Sequence, residues 1–401
     1  MTQPVTLVTT PEPREFRLLE LPPELDTAIS KGIDAPFAIH GRLIDDAALS
    51  TEDATYAVRQ VTQTNTMLLC SPAVQDDKLE LQMHRSAPEI LELAPIAARL
   101  DRMPELLAES EYAGECAESS LTARRYTPRE VRSVVQAGTR EFEAGLREHH
   151  VVFLDGYLRR ISPEFCYDQL RVLVNQLDVL ACEPHAVPYL PAVNALERAG
   201  ARKEVAQALL TWFGQVFDDV VALDADRIAR ALGIEKLRHN KKKPLIDFVN
   251  EWRELLGVLA GNAHLPLLEG FFLLHPPPAS FATTSVHAAR HDPAPGSLRA
   301  SLTIEYIPHT ALSAVPATRF RELFMLRPQW VAQELLPYIS PLVAGNVPEK
   351  RAAALEKLLL MHARGIRARW SAVHGAVLLR GAEDAARNSE ECLVYQARFK
   401  I

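Results

Sequence analysis

Side chains able to do chemistry gather at four places in this 401-residue sequence. His149 and His150 are adjacent. Imidazoles bind transition metals, but a helix brings ligands onto one face at a spacing of three or four, and no carboxylate completes a set here. Asp218, Asp219, Asp224 and Asp226 form the densest carboxylate cluster, and carboxylate oxygens are the donors that a hard divalent cation takes. Asp224, though, stands just before a helical pattern that starts at Ala225, where it can cap backbone N–H groups. Asp226 falls in the first turn, where the helix dipole favours negative charge. Capping accounts for the spacing, and no metal is expected at either place.

The other two groups are basic. From Arg227 to Lys243, Arg227, Arg230, Lys236, Arg238, Lys241, Lys242 and Lys243 face one acid, Glu235, for a net charge of +6. From Val347 to Arg380, Lys350, Arg351, Lys357, Arg364, Arg367, Arg369 and Arg380 outnumber Glu349 and Glu356, for a net charge of +5. Cations gathered on one surface neutralise phosphates, whereas a scattered run is only a solvated face. Lys241, Lys242 and Lys243, together with the cations of the second run, are the candidate DNA contacts. No cluster of Asn or Gln accompanies them, so contact with the backbone without base reading is expected.

Catalytic signatures are missing. The sequence has no GxxxxGK[ST] phosphate loop, no GxGxxG, no HExxH and no GxSxG, so neither an enzyme nor a cofactor is expected. The five cysteines are odd in number, far apart and without a CxxC pair, which fits a reducing compartment and neither a disulfide framework nor a zinc site. The apolar stretch from Leu265 to Leu274 is interrupted by Pro266, Glu269 and Gly270, too short to cross a bilayer core of about 30 Å. Glu12, Arg14, Glu15 and Arg17 occupy the place of a secretory signal's apolar run, so the protein is expected inside the cell.

The elements that must position these groups divide by charge. Residues 1–120 carry 21 acidic and 9 basic residues, which leaves residues 121–401 at +5 within a total of -7. Two different partners are implied, with the basic part suited to phosphate. The first hundred residues read as short strands: Arg14 to Leu21, Phe37 to Leu43, Tyr56 to Val61, Thr66 to Cys70, Lys78 to Met83 and Glu89 to Leu93. Leu79, Leu81 and Met83 alternate with Glu80 and Gln82, as in a strand with one dry face. Strands without intervening helices suggest a small barrel or sandwich with open edges that a partner chain completes. Phe16, Leu18, Leu21, Tyr56, Val58, Met67, Leu69, Leu79 and Leu81 are the candidate partner-binding residues.

After a polar stretch from Glu111 to Arg125, helices followed by a hairpin recur about every 80 residues, the winged-helix plan. Thr127 and Pro128 open one helix, with Glu130 in capping-box position. Asp155-Gly156 turns a hairpin within Val151 to Ile161. Asp224 caps a helix that Gly233 should end, and Pro244 to Leu256 is another. Between strands at Gly270 to His275 and Ser301 to Ile307, the Pro-rich stretch 276–298 reads as a long wing tip. The third unit is read as helices at Arg319 to Met325, Gln329 to Ile339 and Pro348 to Arg364, closed by a hairpin of Ala372 to Arg380 with Cys392 to Lys400. The expected architecture is α+β: a β-rich docking domain at 1–110 and winged helices at 120–190, 191–310 and 317–401.

Several stretches in this order resemble a known family. Phe-Arg-Leu-Leu-Glu-Leu at 16–21, Thr-Tyr-Ala-Val at 55–58 with Asn65, Met67, Leu68 and Leu69, and Gly-Tyr-Leu-Arg-Arg-Ile at 156–161 carry the likeness. Leu223, Asp224, Ala225, Asp226 and Ile228 add to it, and the most specific piece is Leu323-Phe324 with Arg327, Trp330 and Pro337-Tyr338-Ile339. They resemble the sister chromatid cohesion subunit of the alternative, replication-factor-C-like clamp loader. The resemblance implies a heterotrimer in which the N-terminal strands complete a triple β-barrel with a small subunit and the C-terminus of the large one. It further implies attachment to the catalytic subunit of DNA polymerase epsilon through the barrel and first winged helix, DNA contact by the last winged helix, and residence in the nucleus. The stretch 276–298 and the tail from Gly381 to Ile401 depart from the family pattern. A winged-helix transcription or chromatin regulator with a protein-docking β-domain is the competing expectation.

Overall fold

One long hairpin organises the N-terminal sheet. The computed structural model describes residues 6–9, 16–30, 37–75, 78–118, 123–275, 302–343, 348–369 and 391–398. Strands β1 (Thr6–Thr9) and β2 (Leu18–Glu20) and helix α1 (Pro23–Ser30) precede β3 (Ala38–His40), β4 (Ala48–Ser50), β5 (Thr55–Gln75) and β6 (Lys78–Ile96). The strand order is β1-β6-β5-β4-β3, with β2 also on β6; β1 and β2 run parallel to β6 and the other pairs are antiparallel. The separate strands expected at 56–61, 66–70, 78–83 and 89–93 are thus portions of two long ones, each roughly 65 Å at about 3.3 Å per residue. Their ladder shifts register between Thr62 and Met67 and between Leu69 and Cys70. The polar run Gln63-Thr64-Asn65-Thr66 hides the continuity, because it lies in an exposed irregularity of the ladder that needs no apolar alternation. Nor are the strands free of helix: Pro23, which ends the β2 pattern, also presets the first turn of α1.

After β6 come α2 (Arg102–Leu107), α3 (Glu115–Glu118), α4 (Pro128–Val134) and α5 (Thr139–Glu148). The chain divides into two compact units, residues 1–102 with 129–145, and residues 103–128 with 146–401. In the first unit, segment 129–145 is stitched to the sheet. Gln136 Nε2 donates to the carbonyls of His40 at 3.0 Å and Asp46 at 2.7 Å. Thr55 Oγ1 donates to Glu141 at 2.6 Å, and the Gly138 N–H reaches both. Arg102 grips Asp45 through both carboxylate oxygens at 2.8 and 2.9 Å.

The second unit holds α2 and α3 and then the expected hairpin, β7 (Val151–Leu154) and β8 (Tyr157–Arg160), whose turn residues Asp155 and Gly156 both have positive φ, as a tight two-residue turn requires. One order of elements then recurs three times. First come α6 (Pro163–Leu180), β9 (Val187–Pro188), α7 (Tyr189–Arg198), α8 (Lys203–Trp212), β10 (Gly214–Phe217) and β11 (Val220–Leu223). Second are α9 (Ala225–His239), β12 (Lys242–Pro244), α10 (Leu245–Leu256), two short 3-10 turns at Gly257–Asn262 and Leu265–Leu268, β13 (Phe272–His275) and β14 (Thr303–Tyr306). Third are α11 (Pro316–Leu326), β15 (Gln329–Val331), α12 (Ala332–Ile339), α13 (Pro348–His362), β16 (Ala363–Arg369) and β17 (Glu391–Ala397). Each time the short first strand pairs antiparallel with the last, which lies at the centre: β10-β11-β9, β12-β14-β13 and β15-β17-β16.

The structure differs from the local expectations at several places. Gly233 does not end a helix; α9 runs on to His239, and a Cβ at Gly233 would lie 2.8 Å from the Trp252 ring, so this glycine serves close packing. The hairpin β10–β11 was not foreseen. Gln329 opens a strand before α12, and β17 pairs with Ala363–Arg369, where a helix had been expected to run to Arg364; Gly365 is a poor helix former. The polar stretch after Glu111 is packed, since Tyr112 is buried and bridges Ile161. Residues 276–298 and 372–380 lie outside the described residues. As expected, Asp224 caps α9, accepting from the Arg227 N–H at 3.0 Å.

Leu170, Leu173, Leu209, Ile228, Trp252 and Ile304 belong to one apolar core shared by the first two repeats. The third repeat packs Phe320, Leu323, Trp330, Leu335, Leu358 and Leu359 in a second core. Strand β13 serves both: Phe272 and Leu274 lie in the first and Leu273 in the second. That is why its sequence is apolar without alternation.

Candidate docking and nucleic-acid interfaces

The N-terminal sheet leaves apolar surface uncovered. From Thr62 to Leu68 every residue of β5 is exposed, while on the facing strand Ala87, opposite Met67, is buried. An isolated two-stranded ribbon is marginally stable at best. Of the nine residues expected to meet a partner, Met67 is exposed in this stretch. Phe16, Leu18, Leu21, Val58, Leu69 and Leu81 are half-buried, with Leu18 opposite Ile90, Val58 opposite Leu93 and Leu81 opposite both Leu7 and Pro72. Tyr56 is a core residue, buried opposite Leu49. At Leu79 the backbone alone is described, opposite Val74. Sequence reasoning missed Leu7 and Val8 on β1 and Phe37, Ile39, Leu43 and Ile44 around β3, all exposed. The alternation that flags a strand does not say which face stays wet in the isolated chain.

The two basic runs differ in how far their charge is already spent. In the first, Arg227 pairs with Asp224, Arg238 with Glu235 and Glu164, and Lys242 with Glu305. Lys236 and Lys243 share Glu251 at 2.8 and 2.5 Å, which holds that carboxyl down to about 2. Arg230 lies over the Phe271 ring and donates to the Leu267 carbonyl. Lys241 is exposed. In the second run, Arg351 turns back to the Ser340 carbonyl and hydroxyl at 3.2 and 2.8 Å, while Lys357 and Arg364 are exposed. Lys350 is placed by its backbone on α13, and Arg367 and Arg369 by theirs on β16, opposite Leu393 and Glu391. Arg380 lies outside the described residues.

The paired histidines have a different use from ligation. The His150 ring packs against Trp212 and Phe213, with centroids 5.2 and 5.3 Å away. Burial, helped by the charges of Arg160 and His149, holds its pKa down to about 4. Among the described residues no group of three or more His, Cys, Asp or Glu is arranged to hold a metal ion, and no helix is long and apolar enough to cross a membrane.

Two buried arginines explain the motifs quoted above. Arg159, within Gly-Tyr-Leu-Arg-Arg-Ile, donates to Glu118 at 2.6 and 3.0 Å and to the carbonyls of Ser110 and Glu111. Arg327 pairs with Glu334 at 3.1 Å, donates to the Leu274 carbonyl of the second repeat and lies over Trp330. Trp330 Nε1 donates to the Leu323 and Arg327 carbonyls. The Leu323 to Ile339 signature is therefore the joint between the second and third repeats.

A family model described as sister chromatid cohesion protein Dcc1 matches residues 16–339, a span that takes in the N-terminal sheet from β2 onward, both arginine sites and the joint. The chain belongs to this family. It is 25% identical over 338 residues to the sister chromatid cohesion protein DCC1 of Xenopus laevis, covering 80% of each chain. With the protein of that name from Mus musculus it shares 26% over 348 residues, 82% of this chain and 80% of the relative. With the probable counterpart in Dictyostelium discoideum it shares 21% over 378 residues, 88% and 91%. The Dcc1 match stops at Ile339, so α13 and β16, which carry the second basic run, stand outside it.

Proposed function

We propose that this chain acts in sister chromatid cohesion as a non-catalytic subunit of an alternative clamp loader in the nucleus. Its N-terminal sheet receives strands of the small clamp-loader subunit and of the large subunit's C-terminus, forming a triple β-barrel. Its three winged helices tether that assembly to the catalytic subunit of DNA polymerase epsilon and, without sequence preference, to DNA. Family membership supports the cohesion role, since the relatives are named for it. The recurring strand order supports the winged helices, and by that criterion the proposed units run 163–223, 225–306 and 316–397, the first two beginning later than the sequence alone suggested.

The observation that carries the proposal is the long ribbon β5–β6, whose β5 strand is exposed at every residue from Thr62 to Leu68. A strand pair of this length needs a third layer or further strands, and heteromeric strand addition supplies them. Full-length chain should form a stable complex with the small subunit and a C-terminal segment of the large one, and amide exchange across Thr62 to Leu68 should slow on assembly. Met67→Asp should weaken the complex while leaving the unfolding midpoint of the chain alone unchanged. Absence of a complex, or protection of these amides in the chain alone, would overturn the assignment.

A further inference from the structure

The second and third repeats show how a wing of this chain is covered. Strand β13 is the edge of its sheet, in the order β12-β14-β13, and the third repeat seals it. Tyr338 donates to the Phe272 carbonyl, Arg327 donates to the Leu274 carbonyl, and Leu273 joins the third repeat's core. Strand β10 holds the same place in the first repeat, at the edge of β10-β11-β9, and among the described residues no strand pairs with its far side. Directly opposed residues of neighbouring strands share a face of a sheet. The register therefore puts Val187 and Val221, both buried, on the inner face, and Phe217, Val220 and Pro188 in a row across the outer one. Phe217 is 57% exposed and Val220 is exposed too, whereas Leu273 of the second repeat is buried. The Tyr189 N–H donates to the Asp219 carbonyl at 2.8 Å, which brings the exposed Leu190 to the same end of the sheet.

We infer that this outer face receives a segment of another protein that combines apolar side chains with Lys or Arg. The apolar part follows from Phe217, Val220 and Leu190, since exposed apolar surface rimmed by polar groups marks an interaction site. The basic part follows from charge. Residues 181–191 and 214–223, which form the outer strands and their approaches, hold Glu183, Asp218 and Asp219 and no Lys or Arg. All three carboxylates are exposed, and none has an ion pair among the described residues. They stand in a part of the chain, residues 121–401, whose net charge is +5. Such a surface repels phosphate and attracts cations. The seal on β13 shows the same chemistry within one chain, because there the cation arrives as Arg327 together with an apolar core. On β10 an arriving cation meets Asp218 and Asp219 as well. This face lies in the second unit and the β5–β6 ribbon in the first, so the two docking surfaces are tested separately.

The experiment presents a phage-displayed library of random peptides to the full-length chain and, in parallel, to its Phe217→Asp variant. Peptides kept by the wild type and lost by the variant should carry Leu, Phe or Trp together with Lys or Arg. Measured by fluorescence anisotropy, such a peptide should bind Phe217→Asp about tenfold more weakly or worse, as loss of an apolar anchor requires. Asp218→Asn combined with Asp219→Asn should weaken it and remove most of its salt dependence. Asn is the replacement because Asp218 has a φ of 47°, a left-handed conformation that Asn adopts readily. Thermal melting should not change in either variant, and Met67→Asp, on the ribbon, should bind the peptide as the wild type does. If no peptide distinguishes the wild type from Phe217→Asp, the face is no docking site, and the two acids only keep an apolar edge from pairing with another copy. If the selected peptides are acidic, or indifferent to Asp218 and Asp219, the basic occupant is wrong.

Discussion

The Tyr338 hydroxyl lies 2.9 Å from the carbonyl oxygen of Phe272 and 3.0 Å from that of Ile307, and so closes the third repeat onto the sheet of the second. Its single proton is shared between two buried acceptors. Burial pushes the phenol well above its ordinary pKa, so it stays a donor across the working range. Tyr338→Phe keeps the ring and removes the donor, leaving both carbonyls short. The expected cost is about 1–3 kcal/mol, read as a lower denaturation midpoint of the full chain. An unchanged midpoint would mean that the joint is held by packing alone.

Packing across the same joint has a sharper test. Leu273 is 3% exposed and belongs to the third repeat's core although its strand belongs to the second. Leu273→Ala should cost about 2–5 kcal/mol, and a fragment of residues 310–401, which lacks Leu273, should unfold without a cooperative transition. A fragment that melts sharply would show that the third core is self-sufficient.

Arg159 is a buried charge with a buried partner: its side chain is 2% exposed and Glu118, which also pairs with the 30% exposed Arg125, is 11% exposed. Arg159→Met should be destabilising, by up to about 3–5 kcal/mol, because the nearly buried Glu118 carboxylate keeps only the more exposed Arg125 at 3.0 Å. The Arg159 hydrogen bonds hold the Glu118 carboxyl below its ordinary pKa. Its contribution is therefore fully present above the ordinary carboxylate pKa and disappears as pH falls through the lowered value. In urea titrations from pH 6 downward, Arg159→Met should lose less of its remaining stability on acidification than the wild type does. Parallel curves would put the acid dependence elsewhere.

His150 predicts an effect in a higher pH window. With its pKa held to about 4 by burial and by the charges of Arg160 and His149, it is neutral when folded but takes up a proton below about 6.5 when unfolded. Stability then drops as pH falls from about 6.5 to about 4, by on the order of 3 kcal/mol. His150→Phe retains an aromatic ring between Trp212 and Phe213 and removes the titration, so its stability should be flatter across that window. The check is a pair of denaturation series at pH 7 and pH 4.5; equal losses in both proteins would sink the assignment.

Element types were legible where one residue settles the local backbone. Asp155-Gly156 announced the turn of β7–β8, and Asp224 announced the start of α9, because each satisfies its geometry without help from the rest of the chain. What stayed hidden depends on distant neighbours. The ribbon β5–β6 resumes its pairing at Met67 beyond the register shift at Gln63 to Thr66, and an exposed irregularity of that kind leaves no apolar alternation to read. Lys236 and Lys243 read as free cations, and only the fold brings Glu251 between them. The motif around Trp330 could be seen to matter, but its role as a joint needed the carbonyls of β13, which lie more than fifty residues away.

Gly233 gives the remaining prediction, in which two opposing effects can be weighed. It sits in the middle of α9, where Ala would gain about 1 kcal/mol of helix propensity. An added Cβ would meet Trp252 Cε2 at 2.8 Å and Leu268 Cδ2 at 2.9 Å. The Trp252 ring cannot easily retreat, because its Nε1 donates to the Ala229 carbonyl at 3.0 Å and the ring is fully buried. Overpacking a fixed ring costs about 1–3 kcal/mol or more, so the clash should outweigh the gain and Gly233→Ala should be destabilising. Its denaturation midpoint, measured beside that of Gly233→Ala with Trp252→Phe, decides the cause. If the smaller ring recovers part of the loss, contact with Trp252 is what reserves this position for glycine; if it recovers none, Leu268 or the helix backbone sets the limit.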